Sequence, residues 1–402
     1  MVAISENHIK VSLRAAASVE DGGKPSHWKD AKATAFQNPW PSYQDIRFRD
    51  IARFFTIKFP PIPPDIDTLI PSVRPTWGTQ TSLDESGNEE KIKATWLGHA
   101  CFLLELPIRP VTTSRPSRGA RVLFDPVFSD RCSPSQWVGP KRFTKQPCRI
   151  DEVPEIDAIV ISHNHYDHCD AETIKAFSKR TRPPHIFAPL GNTDLFRSMG
   201  IPNERIHCLD WWEGRHVEVE VDSKSSEGKG DKATVSFDLT CTPSQHQANR
   251  GLLDRNKSLW GSWVVQEVPA LESERKEGVK VYFAGDTGYR VVPEGADEEK
   301  VPCCPAFKEI GERFGGFDFA MIPIGAYEPR SFMSRMHVAP QDSVRIFQDI
   351  RTKKALGMHW GTWMLTSEEV TEPPRKLVEE CKKAGIPEDD FDVCKLGETC
   401  FF

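Results

Sequence analysis

"IDAIVISHNHYDHCD", residues 156–170, decides how the rest of the chain is read. Residues 156–161 are mainly apolar, as in a short strand buried on both faces. Directly behind that run, the ten positions 161–170 hold three histidines and two aspartates. His163 and His165 are two apart, so in extended backbone they project to one side. Asp167 and His168 follow where the strand has ended and a turn can swing them round the same point.

A surface histidine tract would also fit that stretch if it stood alone. Further ligand-type residues, however, end other predicted strands: His246 after "FDLTCTPSQ", Asp286 after "VYFAG" and His359 after "KALGM". Together these are five imidazoles and two carboxylates. They divide into two sites if one carboxylate bridges. His163, His165 and His246 would hold one metal, and Asp167, His168 and His359 the other, with Asp286 shared. Imidazole and carboxylate donors suit zinc, with iron or manganese as alternatives, and the lack of thiolate argues against a closed structural site. Two Zn2+ per chain are therefore expected. Two ions about 4 Å apart can share a hydroxide nucleophile and stabilise the entering and leaving oxygens of a displacement. Four positive charges against two carboxylates and one hydroxide leave a net positive site, which favours an anionic substrate.

The chain has 402 residues and a formal net charge of -6, which speaks against nucleic-acid binding through a generally basic surface. It lacks the run of ~18 apolar residues that a membrane-spanning helix needs. Its first residues lack the apolar stretch of a secretory signal. The 11 cysteines are odd in number and include no C-x-x-C, so free thiols in a reducing, intracellular compartment are expected.

Residues 1–37 are polar and aperiodic and read as a flexible arm. In the stretch that follows, Ser42 with Asp45 makes a capping-box start. Phe48, Ile51, Ala52 and Phe55 then fall on one helical face, with Arg47, Arg49 and Arg53 elsewhere on the wheel. Prolines 60, 61, 63 and 64 stop that helix. Such a face suits either packing on a protein core or lying at a lipid interface. From residue 91 short strands dominate. "KATWLGHACFLLEL" pairs with "RVLFDPVF", two further strand pairs bracket 223–232 and "ESERKEG", and strand–helix alternation follows. This order predicts sheets covered by helices.

These residues resemble a known family. H-x-H-x-D-H after a buried strand, with later His, Asp and His at strand ends, resembles the metallo-β-lactamase superfamily. "NPWP", "WLGHA", "SPSQWVGPKRF", "LDWWE", "TPSQH", "LWGSWVV", "FAGDTGY", "IPIGAYEPR" and "HWGT" resemble its branch of N-acylphosphatidylethanolamine-hydrolysing phospholipases D. The similarity runs from about residue 36 to "KLGE" near the C-terminus. It implies a four-layer αββα sandwich over 91–402 and a lipid-facing segment over 38–90. It also implies hydrolysis of N-acylphosphatidylethanolamine to phosphatidic acid and N-acylethanolamine through a metal-bridging hydroxide. On this resemblance Asp167, Asp286 and His337 are catalytic, and Tyr166, His337 and Gln136 meet the substrate. Asn249 stands where the family has a basic residue, so regulation by bile acids is not carried over.

The expected partner is a phospholipid at a membrane surface, with the enzyme peripheral and intracellular. No nucleic-acid partner is expected, and a homodimer is compatible with the sequence. Two other classes compete. One is a hydrolase of the same fold acting on another ester, a lactone or RNA. The other is a metal-binding scaffold without turnover. The acidity of the chain disfavours RNA, because phosphate contacts need Lys and Arg, and the presence of all seven ligands disfavours the scaffold. A β-lactamase would often offer a thiolate; Cys169 adjoins His168 but has no role in this motif.

Overall fold

A computed structural model describes residues 8–14, 24–45, 58–78, 87–109, 115–223, 232–251, 253–270 and 277–402. Its strands form two sheets. The eight-stranded sheet runs in the order β1 (Ile9–Leu13), β8 (Gly214–Asp222), β9 (Lys232–Thr242), β10 (Ser262–Val268), β11 (Lys280–Phe283), β12 (Phe319–Pro323), β13 (Ala355–Met358) and β14 (Phe391–Asp392). The seven-stranded sheet runs β15 (Thr399–Phe401), β2 (Lys93–Trp96), β3 (Phe102–Glu105), β4 (Arg121–Phe124), β5 (Ala158–Val160), β6 (His185–Pro189) and β7 (Ile206–Leu209).

Period-2 alternation in the smaller sheet builds the layers. Phe102, Leu104, Val122, Phe124, Ala158, Val160 and Phe187 enter the core shared with the larger sheet, where Phe124 stacks on Phe283 with ring centroids 4.5 Å apart. Leu103, Leu123, Ile159, Ile186 and Ala188 point the other way. They pack with Ile174 and Phe177 of α2 (Ala171–Ser178) and Phe196 of α3 (Thr193–Ser198). A short α1 (Ile66–Leu69) precedes this region.

The larger sheet is covered by α4 (Ala306–Phe314), α6 (Pro340–Asp349) and α7 (Glu372–Ala384), with the single turn α5 (Arg330–Met333) between α4 and α6. Phe307, Ile310, Val344, Phe347 and Leu377 are buried in its core, and Phe347 stacks on Phe391 of β14. Helix, sheet, sheet and helix give the four-layer αββα sandwich expected from the sequence. Both faces of the central strands are covered, so they read as continuous apolar runs. The elements α1, α3, α4, α5, α7, β14 and β15 were not among those expected.

Two expectations change. Parts of the 1–37 arm are built into the fold. Ile9–Leu13 pairs antiparallel with Val219–Arg215 at the sheet edge. His27 and Trp28 both bond Asp210, and Phe36 is fully buried, its N–H donating to the Asn256 carbonyl. The partners lie about two hundred residues away along the chain, so no local periodicity reveals them. The Ser42–Asp45 capping box is not formed either. Ser42 is buried and donates its hydroxyl to Gln245 Oε1 at 2.6 Å. The rest of the expected amphipathic helix, residues 46–57, lies outside the described residues.

Candidate metal centre

Pairing makes β2, β4 and β5 co-directional in the smaller sheet, and β9, β11 and β13 co-directional in the larger one. Each delivers polar groups just beyond its C-terminal end: His99, Asp125 and the turn 162–168 on one side, His246, Asp286 and His359 on the other. Backbone contacts clamp these two edges together. Gly261 N–H donates to the Ser162 carbonyl at 3.0 Å, and Trp263 Nε1 to the Ile161 carbonyl at 3.0 Å. Gly285 has φ +58°, and a Cβ there would stand 2.5 Å from that of Ser162. Only glycine lets Asp286 come so near the histidine turn.

All seven predicted ligands converge here. In the first triad, His163 Nε2 lies 2.7 Å and His246 Nε2 3.4 Å from His165 Nδ1. In the second, His168 Nε2 and His359 Nε2 are 3.2 Å apart, with Asp167 Oδ2 at 3.4 and 3.6 Å from them. Asp286 sits between the triads. Its Oδ2 is 3.1 Å from His168, 3.8 Å from His246 and 3.9 Å from His163, and its Oδ1 is 3.0 Å from His359. Except for His165 and Asp167, which are half-buried, these residues are buried.

An outer hydrogen bond fixes which ring nitrogen faces inward. Ser162 Oγ donates to Asp125 Oδ2 at 2.6 Å and accepts from His163 Nδ1 at 2.9 Å. His168 Nδ1 donates to the same Asp125 oxygen at 2.7 Å. His246 Nδ1 donates to the Met336 carbonyl at 2.9 Å, and His165 Nε2 to Asn249 Oδ1 at 3.0 Å. With these four N–H groups engaged outside, the inner nitrogens of His163, His165 and His246 present lone pairs to one another, and that of His168 faces Asp286. Such a convergence, flanked by two carboxylates, is repulsive by itself and fits divalent cations.

The electrostatics follow the same division. Burial lowers the pKa of His163 and His246 well below the ordinary histidine value, and of His165 less so. Burial also opposes charge on His168 and His359, but Asp286 and Asp167 outweigh it. His168 is held well above its ordinary value, and His359 is raised to about 9. For Asp286, burial is overcome by His168, His359 and His337, so the carboxylate is held well below its usual range.

The three substrate-facing candidates fall differently. His337 reaches the centre: its Nδ1 is 3.7 Å from Asp286 Oδ2, buried and without a hydrogen bond. Tyr166 stays half-buried beside the centre, its hydroxyl donating to the Arg250 carbonyl at 3.2 Å and its ring covered by the Arg250 guanidinium. Gln136 is not brought there. It is exposed, and its amide closes its own turn through two 3.0 Å bonds to the Arg131 backbone.

Four contributing side chains were missed from sequence: Asp125, Ser162, Asn249 and His99, whose Nε2 lies 2.9 Å from Asp167 Oδ2. Asp125 in "VLFDP" and His99 in "TWLGH" carry the same signal as Asp286, a polar group just past an apolar strand. Asn249 has no such signal, because it sits in an irregular loop.

The Beta-lactamase superfamily domain matches residues 120–360, which span all seven ligands. The chain therefore belongs to that superfamily and is a metal-dependent hydrolase of the metallo-β-lactamase fold. It is 35% identical over 320 residues to N-acyl-phosphatidylethanolamine-hydrolyzing phospholipase D 1 of Caenorhabditis elegans, covering 78% of this chain and 77% of that one. It is 30% identical over 406 residues to the mitochondrial N-acyl-phosphatidylethanolamine-hydrolyzing phospholipase D of Saccharomyces cerevisiae, covering 91% and 75%. Within the superfamily the chain belongs to the family of these phospholipases. Among solved structures, an isothiocyanate hydrolase from Delia radicum gut bacteria is similar at 17% identity and a TM-score of 0.49, covering 77% of this chain and 99% of that one.

Proposed function

We propose that the chain is a phospholipase D-type phosphodiesterase that hydrolyses N-acylphosphatidylethanolamine to N-acylethanolamine and phosphatidic acid at a dinuclear zinc centre. The observation that carries this reading is the 35% identity, over 78% of the chain, to a relative named for that hydrolysis. His163, His165 and His246 would hold one ion, Asp167, His168 and His359 the other, with Asp286 between them; iron or manganese would suit the same donors. Bound divalent ions supply an activated water and polarise a phosphoryl oxygen.

The protein groups do the rest. Asp125, Ser162, Asn249 and the Met336 carbonyl hold the rings in the tautomers that leave the inner nitrogens free. Water oxygen adds to phosphorus, the P–O bond to the ethanolamine breaks, and the leaving alkoxide takes a proton. His337, with its unpartnered Nδ1 at the centre, is the group placed to hydrogen-bond the phosphate or the leaving oxygen. The substrate is a membrane lipid, so the enzyme works as a peripheral protein. No described helix is long and apolar enough to cross a membrane. An intracellular location is supported by 11 free cysteines.

The test is turnover on vesicles of N-acylated and plain phosphatidylethanolamine side by side, with metal analysis of the same preparation. Two zinc ions per chain and turnover confined to the N-acylated lipid are expected. Equal turnover on both lipids would overturn the substrate, and active protein with fewer than two ions would overturn the dinuclear centre.

A further inference from the structure

We infer that His99 is the positioning residue of the second triad, holding Asp167 and His359 in place for a divalent ion. The inference rests on the dinuclear reading above. His163, His165, His168 and His246 each have an outer hydrogen bond of their own. His359 does not: its Nδ1 is buried and makes no hydrogen bond. Asp167 and His359, the two ligands of the second triad other than His168, both rest on His99 instead.

The contacts are of three kinds. His99 Nε2 donates to Asp167 Oδ2 at 2.9 Å, the shortest of the approaches that oxygen receives from His99, His168 and His359. The His99 ring lies against that of His359, centroids 3.9 Å apart and planes at 43°, and meets the Trp363 indole edge-on at 5.0 Å. The His359 N–H donates to the His99 carbonyl at 3.1 Å. One residue therefore fixes the carboxylate by its ring nitrogen and the imidazole by its ring face and backbone.

The backbone shows that this placement is enforced. His99 has φ +52° and His359 φ +65°, a left-handed conformation that residues with a Cβ adopt at a cost. Surrounding bonds over-determine it at His99. Its N–H donates to Thr362 Oγ1 at 2.7 Å, and its carbonyl also accepts from Trp96 Nε1 at 2.9 Å. Trp96 is stacked on Trp360 next to His359. The ring is only 3% exposed and cannot swing out. His99 stands in one group with Asp167, His168 and His359, their ligand atoms within 4.8 Å of one another, and its role there is support because its Nε2 faces Asp167 Oδ2 as a hydrogen-bond donor.

The experiment is titration of metal-free protein with Co2+, read by its absorption bands, alongside melting temperatures of the metal-free forms. Wild type should take up two ions. His99→Ala should bind one ion as wild type does and the other about 10–100-fold more weakly. His99→Gln, whose amide N–H can reach Asp167, should recover part of that loss. Two ions bound by His99→Ala with wild-type affinity would overturn the inference and leave the dinuclear reading standing. So would an equal weakening of both ions with a lowered melting temperature, the mark of a merely structural role. Wild type that binds fewer than two ions would overturn the dinuclear reading, and this inference with it.

Discussion

Two groups of buried histidines lie in this chain and are held in opposite ways. At the sheet edges, four of the five predicted histidine ligands give their outer nitrogen to a protein acceptor and turn the other inward, towards Asp286 and Asp167. On β6 and β7, His185 and His207 turn to each other instead. His185 Nδ1 and His207 Nε2 are 2.8 Å apart, the rings are nearly parallel at 7°, and Phe187 stacks on His207. A neutral imidazole has one donor and one acceptor, so this pair satisfies itself and leaves no converging lone pairs. Its charged neighbours differ as well. Burial pushes His185 down to about 3, helped by His207 and Arg205, and His207 to about 4, helped by Arg215. A metal centre is thus made by unsatisfied nitrogens facing a point that carboxylates neutralise, and counting buried histidines does not find it.

The two groups should differ most when Asp286 is replaced. Asp286→Ala removes the one carboxylate between the two triads, so both ions should be lost, where single-triad changes should lose one. Several kcal/mol of transition-state stabilisation goes with them, so turnover should fall by about 10³-fold or more. His185→Ala, in the other group, should leave the metal content unchanged. Elemental analysis of the two variants side by side checks this. An Asp286→Ala protein that keeps both ions would remove the bridging role.

A smaller effect is expected at His337, which stands at the centre without belonging to either triad. His337→Ala should keep both ions and lose roughly 10²–10⁴ in turnover, the usual worth of one general acid–base or phosphate-orienting group. Loss of metal in this variant would instead make His337 a ligand. Full activity would return it to the role of a bystander.

The ligands were legible because each stands at the end of an apolar run, and the H-x-H-x-D-H spacing is local. The four layers were legible for a related reason: the central strands are covered on both faces and carry continuous apolar sequence. What escaped depends on partners far away in sequence. Ile9–Leu13 becomes a strand because of residues 215–219, and Ser42 gives its hydroxyl to Gln245 instead of capping a helix. Gln136 looked like a substrate contact because its neighbours matched the family. Its amide is occupied by the backbone five residues earlier, which no pattern of residue types reports. His99 is an intermediate case. It ends a strand like the ligands, but its role appears only when Asp167 and His359 are seen on either side of its ring.

The smallest expected effect lies at the His185–His207 pair, in its acid stability. In the native chain His185 and His207 are neutral, with pKa values of about 3 and about 4, against about 6.5 when unfolded. Below that unfolded value the denatured chain takes up protons that the native pair refuses, so the pair's stabilisation is present above pH 6.5 and is lost as pH falls towards 4. Between pH 7.5 and 5 the loss should be about 3 kcal/mol in all, after allowing for the partial exposure of His207. That corresponds to a few degrees in melting temperature. Replacing both rings together, His185→Leu with His207→Leu, removes donor and acceptor at once and should cost little at pH 7.5. The acid titration of the metal ligands is common to both proteins and cancels in the difference. The double variant should therefore lose fewer degrees than wild type on going from pH 7.5 to pH 5. Equal losses would mean that His185 and His207 take up protons as readily in the native chain as in the unfolded one, and that burial does not hold the pair neutral.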